Sequence, residues 1–338
     1  RESINFNIWV ALMTEHLNVF SAFIRQTNFD HIPSEIIFRA KLIIADCIGA
    51  IIGGSAEPEM LAFVDSINSP GKSRILGNSK VTDPQTASLI NGTAGTVLEM
   101  DEGHQFARGH PGMHVLPALL AASENALHPV SGKDFLKSFI IGYDIAARVG
   151  LSTSLHPNMH PHGTWGVVGA AASLGSLNQL DEVQLSELIN IASSLTLATS
   201  RKTMVEGGTV RNAYTGVANQ MAHIAYGLLI AGFSGEKDGL RSVFGGVVSS
   251  CFDVDAALDK IGERFEVSRN YFKLHACCRY NHAALDAVWI LIDRHSELRY
   301  PEEISCILVE SYFLAAELDD QKPHNALAAR FSIPFAIA

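Results

Sequence analysis

Cysteine is scarce: five in 338 residues, at Cys47, Cys251, Cys277, Cys278 and Cys306, with no C-x-x-C pair among them. An odd number without such a pair excludes a disulfide scaffold. With no secretory apolar segment opening the chain, it reads as a reducing, cytoplasmic environment. A basic excess is also absent. Lys and Arg total 25 against 35 Asp and Glu, a formal charge of −10, so nucleic acid is not an expected partner. Long apolar runs are missing, since Lys41 and Asp46 interrupt the longest, and no membrane span is expected. No Walker A motif, Rossmann glycine fingerprint or G-x-S-x-G elbow occurs. Gly53-Gly54 closes a helical pattern rather than a strand and carries no dinucleotide signal.

What is present is apolar content, 47% of residues, enough to exclude disorder and to build a large core without staples. Length gives a prior of about two domains. From residue 34 to about 250 the periodicity is helical. Ile37, Ala40, Ile44, Ile48 and Ile51 recur at three- and four-residue steps behind Pro33-Ser34-Glu35. Asp83-Pro84 reads as an N-cap with proline at the first helical position, Ser131 as the start of a capping box, and Asp181 as another cap. Two segments, 166–175 and 215–231, are rich in small residues and predict closely packed helices. After about residue 265 the texture changes. One helix is expected near 283–295, and alternation through Ile304-Ser305-Cys306-Ile307-Leu308-Val309 predicts a strand. The expected fold is mainly α: a large all-helical domain over 1–265 and the start of a smaller α+β domain over 266–338. The chain begins with Arg1 and stops in an apolar run, so sequence is expected to be missing at both ends.

Chemistry concentrates in loops. Seven of the fourteen histidines fall between residues 104 and 162, in Gly/Pro-rich segments around Glu99 to His114 and His156 to Thr164. Such loops at helix N-termini aim backbone N–H groups at an anion, and histidine there can exchange protons near neutral pH. His156 and His160 are four apart, but Pro157 and Pro161 interrupt a helix and no H-E-x-x-H occurs, so no metal site is expected. Cations form two further groups, Arg201-Lys202 with Arg211, and Lys273 with Arg279. These are either solvated flanks or partners for substrate carboxylates. Cys277-Cys278 is either a thiolate site activated by His275 and Arg279 or a packed pair of small side chains.

Six segments fall in a familiar order: Ala40 to Gly49, Asn91-Gly92-Thr93-Ala94, Gly109-His110-Pro111-Gly112, His160-Pro161-His162-Gly163-Thr164, Lys273 to His282, and Ala329-Arg330-Phe331-Ser332. In this order and spacing the chain resembles the MmgE/PrpD family, which includes 2-methylcitrate dehydratase, cis-aconitate decarboxylase and iminodisuccinate epimerase. The resemblance implies an active site between a helical domain and an α+β lid, a homodimer, and chemistry without a cofactor. It implies a small di- or tricarboxylate substrate. Carried over, His110, His160, Lys273 and Glu99 are the expected catalytic residues, and Arg211, His104, His162 and Cys278 the expected substrate contacts.

The expected mechanism is proton abstraction α to a carboxylate, with Arg211 and Lys273 holding carboxylates and Glu99 orienting His110 or His104. One of His110 and His160 removes the proton and the other protonates a leaving hydroxyl or returns a proton to the opposite face. A hydro-lyase of the 2-methylcitrate dehydratase kind is the leading reading. An epimerase, or a non-catalytic carboxylate binder, is the alternative. Three departures point away from cis-aconitate decarboxylation: Gly103 where threonine is common, His162 in place of the threonine of His-Pro-Thr-Gly, and Phe335 where a tyrosine is common.

Overall fold

The computed structural model describes residues 15–338; residues 1–14 of the expected first domain lie outside the described residues. The architecture is mainly α. Its longer helices are α1 (Glu15–Gln26), α2 (Ser34–Gly54), α3 (Pro58–Ser66), α4 (Pro84–Val97), α5 (Pro111–Asn125), α6 (Gly132–Leu151), α7 (Gly166–Leu177), α8 (Glu182–Ser194), α9 (Ala213–Ile230) and α10 (Arg279–Arg294). Their starts follow the sequence signals. Asp83 accepts from the Thr86 N–H and Ser131 from the Asp134 N–H. Asp181 and Gln184 form a reciprocal capping box. Each occupies backbone donors that a helix start leaves free.

Small residues determine how closely the helices approach. A Cβ on Gly92 of α4 would lie 2.7 Å from the Cα of Gly216 in α9, and one on Gly216 would overlap the Leu89 carbonyl. Between α6 and α7, a Cβ on Gly142 would lie 2.9 Å from the Gly169 carbonyl oxygen. Backbones at this separation pack over their full length and leave no gap for a side chain. The surrounding core is wholly buried and includes Phe20, Ile43, Met113, Phe139, Tyr143, Trp165 and Phe244.

The helical region is not helical throughout. Among the described residues, six strands of two to four residues pair into three antiparallel ladders. The one that matters for the site joins Gly103–His104 to Asn270–Tyr271. It ties the first histidine loop to the segment that leads into α10.

Within 266–338 the described residues hold one short strand, Asn270–Tyr271, and no strand follows it. Residues 304–309, expected as a strand, run without a ladder partner, and Leu308 is 82% exposed. Alternation makes a strand only where a neighbouring strand takes up its backbone groups. Instead, Met204, Cys278, Ala315, Leu318, Leu327, Phe331 and Ile333 gather in a second, small apolar cluster. It is fastened to the helical region by Arg201–Glu317 at 2.8 Å, by the Arg330 guanidinium donating to the Val97 carbonyl at 2.9 Å, and by Asn325 donating to the Gly207 carbonyl at 2.8 Å.

Candidate active site

α4 ends at Val97 with Leu98 as its C-cap, and the next residue, Glu99, takes φ +54°. Glycine is the usual residue there, and a side chain in this conformation costs on the order of 1–2 kcal/mol. The strain places the Glu99 carboxylate between two buried cations. Arg211, from the 3₁₀ turn Thr209–Asn212, pairs with one carboxylate oxygen. Lys273 donates to the other at 3.0 Å and to the Glu99 carbonyl at 3.0 Å. Lys273 also lies 3.8 Å from Asp101. Burial pushes the Glu99 carboxyl up, but Arg211 and Lys273 outweigh it and hold the group below the ordinary range. Burial pulls Lys273 down, and Glu99 and Asp101 outweigh that to raise it. Two carboxylates and two cations balance, the arrangement a buried ionic cluster needs.

The expected role of Glu99 in orienting His110 or His104 falls to other groups. His110 precedes α5, and its Nδ1 lies 2.5 Å from the Glu102 carbonyl and 3.1 Å from an Asp101 carboxylate oxygen. Both partners accept, so Nδ1 carries a proton, and Nε2 is the nitrogen left without a protein partner. His104 bonds Glu266 through Nε2 at 3.1 Å and accepts the Ala107 N–H on Nδ1 at 3.1 Å. With both nitrogens taken inside the protein, its ring has none left for a substrate.

The second histidine loop is wired the opposite way. His160 Nδ1 accepts the backbone N–H of His162 at 3.0 Å, so its proton sits on Nε2. Burial and the Arg211 charge hold both His160 and His162 well below the ordinary histidine range. The His162 ring stands edge-on to His110, His114 and His160 at centroid distances of 4.8, 5.2 and 4.6 Å. His114 lies behind, its Nδ1 on the His110 carbonyl at 2.8 Å, and burial lowers it to about 4.

These groups surround a cavity of about 340 Å³ lined by Glu99, His110, His160, His162 and four arginines, Arg108, Arg201, Arg211 and Arg279. Lys273 does not line it; Lys273 stands behind Glu99 with its side chain wholly buried. Cys278 lines the wall, and burial pushes both the Cys277 and Cys278 thiols to about 11, which selects the packed pair over a thiolate. A larger cavity of about 1230 Å³ lies beside α10 and residues 304–309. No histidine lines it, so the clustered imidazoles and arginines belong to the smaller one.

The sequence reading missed Asp101 as the partner of His110, and Tyr271 and Arg108 as cavity residues. Asp101 sat in the expected loop and could have been weighed there. Tyr271 reaches the site through the strand pair with Gly103, and a Cβ at Gly103 would fall on its ring. The missing threonine at 103 is therefore matched by a phenol on the cavity wall. Phe335 is 54% exposed and does not line the cavity, whereas Tyr280 and Tyr312 do.

Comparison with known proteins agrees with the resemblance. The MmgE/PrpD N-terminal domain matches residues 18–256. Cis-aconitate decarboxylase of Aspergillus terreus is 25% identical over 335 residues, covering 91% of this chain and 68% of its own length. The cis-aconitate decarboxylase-like protein oryM of Aspergillus oryzae is 25% identical over 286 residues, covering 76% of this chain and 57% of its own length.

Proposed function

Since the chain belongs to the MmgE/PrpD family, we propose that it is a lyase that forms or quenches a carbanion α to a carboxylate of a small di- or tricarboxylic acid. The observation that carries this reading is the composition of the cavity: four arginines and four imidazoles (His104, His110, His160 and His162) against one carboxylate, in a protein of net charge −10. Concentrated positive charge in a cleft attracts a multiply charged small anion.

The two histidines divide the work by tautomer. His110, with Nδ1–H held by the Glu102 carbonyl and Asp101, presents a basic Nε2 and takes the α-proton. The resulting imidazolium is stabilised by the Asp101 carboxylate behind it. His160, neutral with Nε2–H, donates to the oxygen on which enolate charge develops, the task for which a depressed histidine suits. Proton transfer by a positioned group is worth roughly 10²–10⁴-fold, and donors set around the developing charge supply much of the rest. The proton on His110 then leaves with departing hydroxide in a hydro-lyase.

Decarboxylation is the second reading, favoured by the names of the relatives and by Tyr271 in the space a residue-103 side chain would take. There the C–C bond to CO₂ breaks, its electron pair stays on the α-carbon, and the proton arrives from Nε2 of His110, which enters this reaction as the imidazolium and leaves it neutral. The test is proton NMR in D₂O with cis-aconitate, citrate-like hydroxy acids and their unsaturated products. Deuterium at one α-carbon with loss of water supports the hydro-lyase, and loss of CO₂ supports the decarboxylase. His110→Gln, shown folded by its melting curve, is expected to lose 10²–10⁴-fold in rate. Near-normal turnover by that variant would remove His110 from the mechanism.

A further inference from the structure

Arg211 and Lys273 are the cations that the sequence order offers for substrate carboxylates, yet their charges are spent. Arg211 is paired with Glu99, Lys273 with Glu99 and Asp101, and Lys273 is not on the cavity wall. Arg201, a third wall cation, is bridged to Glu317 at 2.8 Å. That leaves Arg108 and Arg279. Both line the cavity, both are exposed to solvent, and among the described residues neither makes an ion pair or a side-chain hydrogen bond to the protein.

Their placement is not that of idle surface charge. Arg108 sits in the tight loop closed by the His104 N–H to Gly109 carbonyl bond of 2.8 Å. It takes φ +55°, a conformation unfavourable to a side chain, directly before the glycine that precedes His110. Arg279 is the first residue of α10, where the helix dipole disfavours a cation. It is held over the Tyr271 ring, guanidinium carbon to ring centroid 5.1 Å. The buried Nε of Arg211, a residue of the same wall, has no hydrogen-bond partner, an unused donor beside the two cations at the cavity's edge.

We propose that Arg108 and Arg279 are the carboxylate anchors of this cavity, one from each side, and that they set its preference for substrates carrying at least two carboxylates. Arg211 and Lys273 then serve to hold Glu99 in place, with Arg211 adding one neutralised donor. The inference rests on the carboxylic-acid reading above and narrows it: it states how many carboxylates are recognised and by which side chains. A guanidinium meets a carboxylate with two parallel N–H bonds, so two free guanidinia fit a di- or tricarboxylate and leave a monoacid half-held.

The test is calorimetric titration of the purified protein with tricarballylate, glutarate and butyrate, which carry three, two and one carboxylates and do not react. The proteins are the wild type, Arg108→Asn, Arg279→Gln and the double variant. Asparagine is chosen at 108 because it tolerates left-handed backbone. Melting temperatures check that each variant is folded. The expected result is a roughly tenfold loss of tricarballylate and glutarate affinity for each single change and about a hundredfold for the double, with butyrate altered less than about twofold by either single change and about tenfold by the double. Wild-type binding that survives both changes, or an equal loss for butyrate, overturns the assignment while the carboxylic-acid reading stands. No wild-type binding of tricarballylate or glutarate overturns the reading on which it rests.

Discussion

The two regions that face each other across the cavity are built to different tolerances. The helical region holds the histidine loops on helices whose backbones meet at glycines, and its core side chains are wholly buried. The region from 279 to 338 has one small apolar cluster and leaves Trp289, Leu308 and Phe313 exposed at 62%, 82% and 75%. The division fits the chemistry. In the proposed mechanism proton transfer needs His110 and His160 closely held, and both lie buried on the tightly packed side. The opposite wall contributes Arg279, Tyr280, Tyr312 and Phe331, which the proposal assigns to substrate contact alone, and a loosely built surface suffices for that.

The sharpest way to test this contrast is to remove one charge on each side. Glu99→Gln leaves Arg211 and Lys273 buried beside each other with only Asp101 to balance them. A loss of about 3–5 kcal/mol is expected, read from denaturant unfolding. Glu317→Gln breaks the half-exposed bridge to Arg201 and is expected to cost under about 1 kcal/mol. Comparable losses from the two would mean that the regions are equally braced. A smaller contrast comes from apolar contacts. Gly216→Ala forces a methyl into the Leu89 carbonyl and is expected to cost about 1–3 kcal/mol. Leu308→Ala, 82% exposed, should stay within about 0.5 kcal/mol.

The same contrast explains what could be read from the sequence. Helix starts were legible because Asp83, Ser131 and Asp181 act on neighbours three residues away. So was the position of the histidine loops, since glycine and proline break the helical period locally. The ionic cluster was not. Its members come from 99, 101, 211 and 273, and nothing in the chain says that Lys273 will turn to Glu99 instead of a substrate. The tautomers of His110 and His160 depend on a backbone carbonyl in one case and a backbone N–H in the other, which no residue pattern records. Alternation at 304–309 misled because a strand is a property of two segments, and only one of them was read.

A finer comparison lies inside the helical region, between two carboxyl groups pushed in opposite directions. Burial raises Glu102 to about 8, although the Gly112 N–H and the Tyr143 hydroxyl both donate to it. Glu266 is raised by burial but lowered further by hydrogen bonds from His104 and Arg264, to a net value of about 2. The consequences for stability have opposite signs. Unfolded, Glu102 releases its proton near 4.5, while folded it keeps it to about 8. The native state therefore holds the extra proton, and its stability contribution is full below 4.5 and is lost as pH rises to about 8. Glu266 contributes above 4.5 and loses its contribution as pH falls towards 2. Asp46, raised by burial to about 6, adds a shallower decline that survives changes at 102. Glu102→Gln keeps an acceptor for Gly112 and removes the titration. Between pH 5 and 8 the wild type should lose stability relative to this variant, by up to about 1.4 kcal/mol per pH unit. Denaturant midpoints at pH 5, 6, 7 and 8 measure the difference. Parallel profiles would mean that Glu102 is ionised in the folded protein, and that the carboxyl between Gly112 and Tyr143 is a charge rather than a neutral hydrogen-bonding strut.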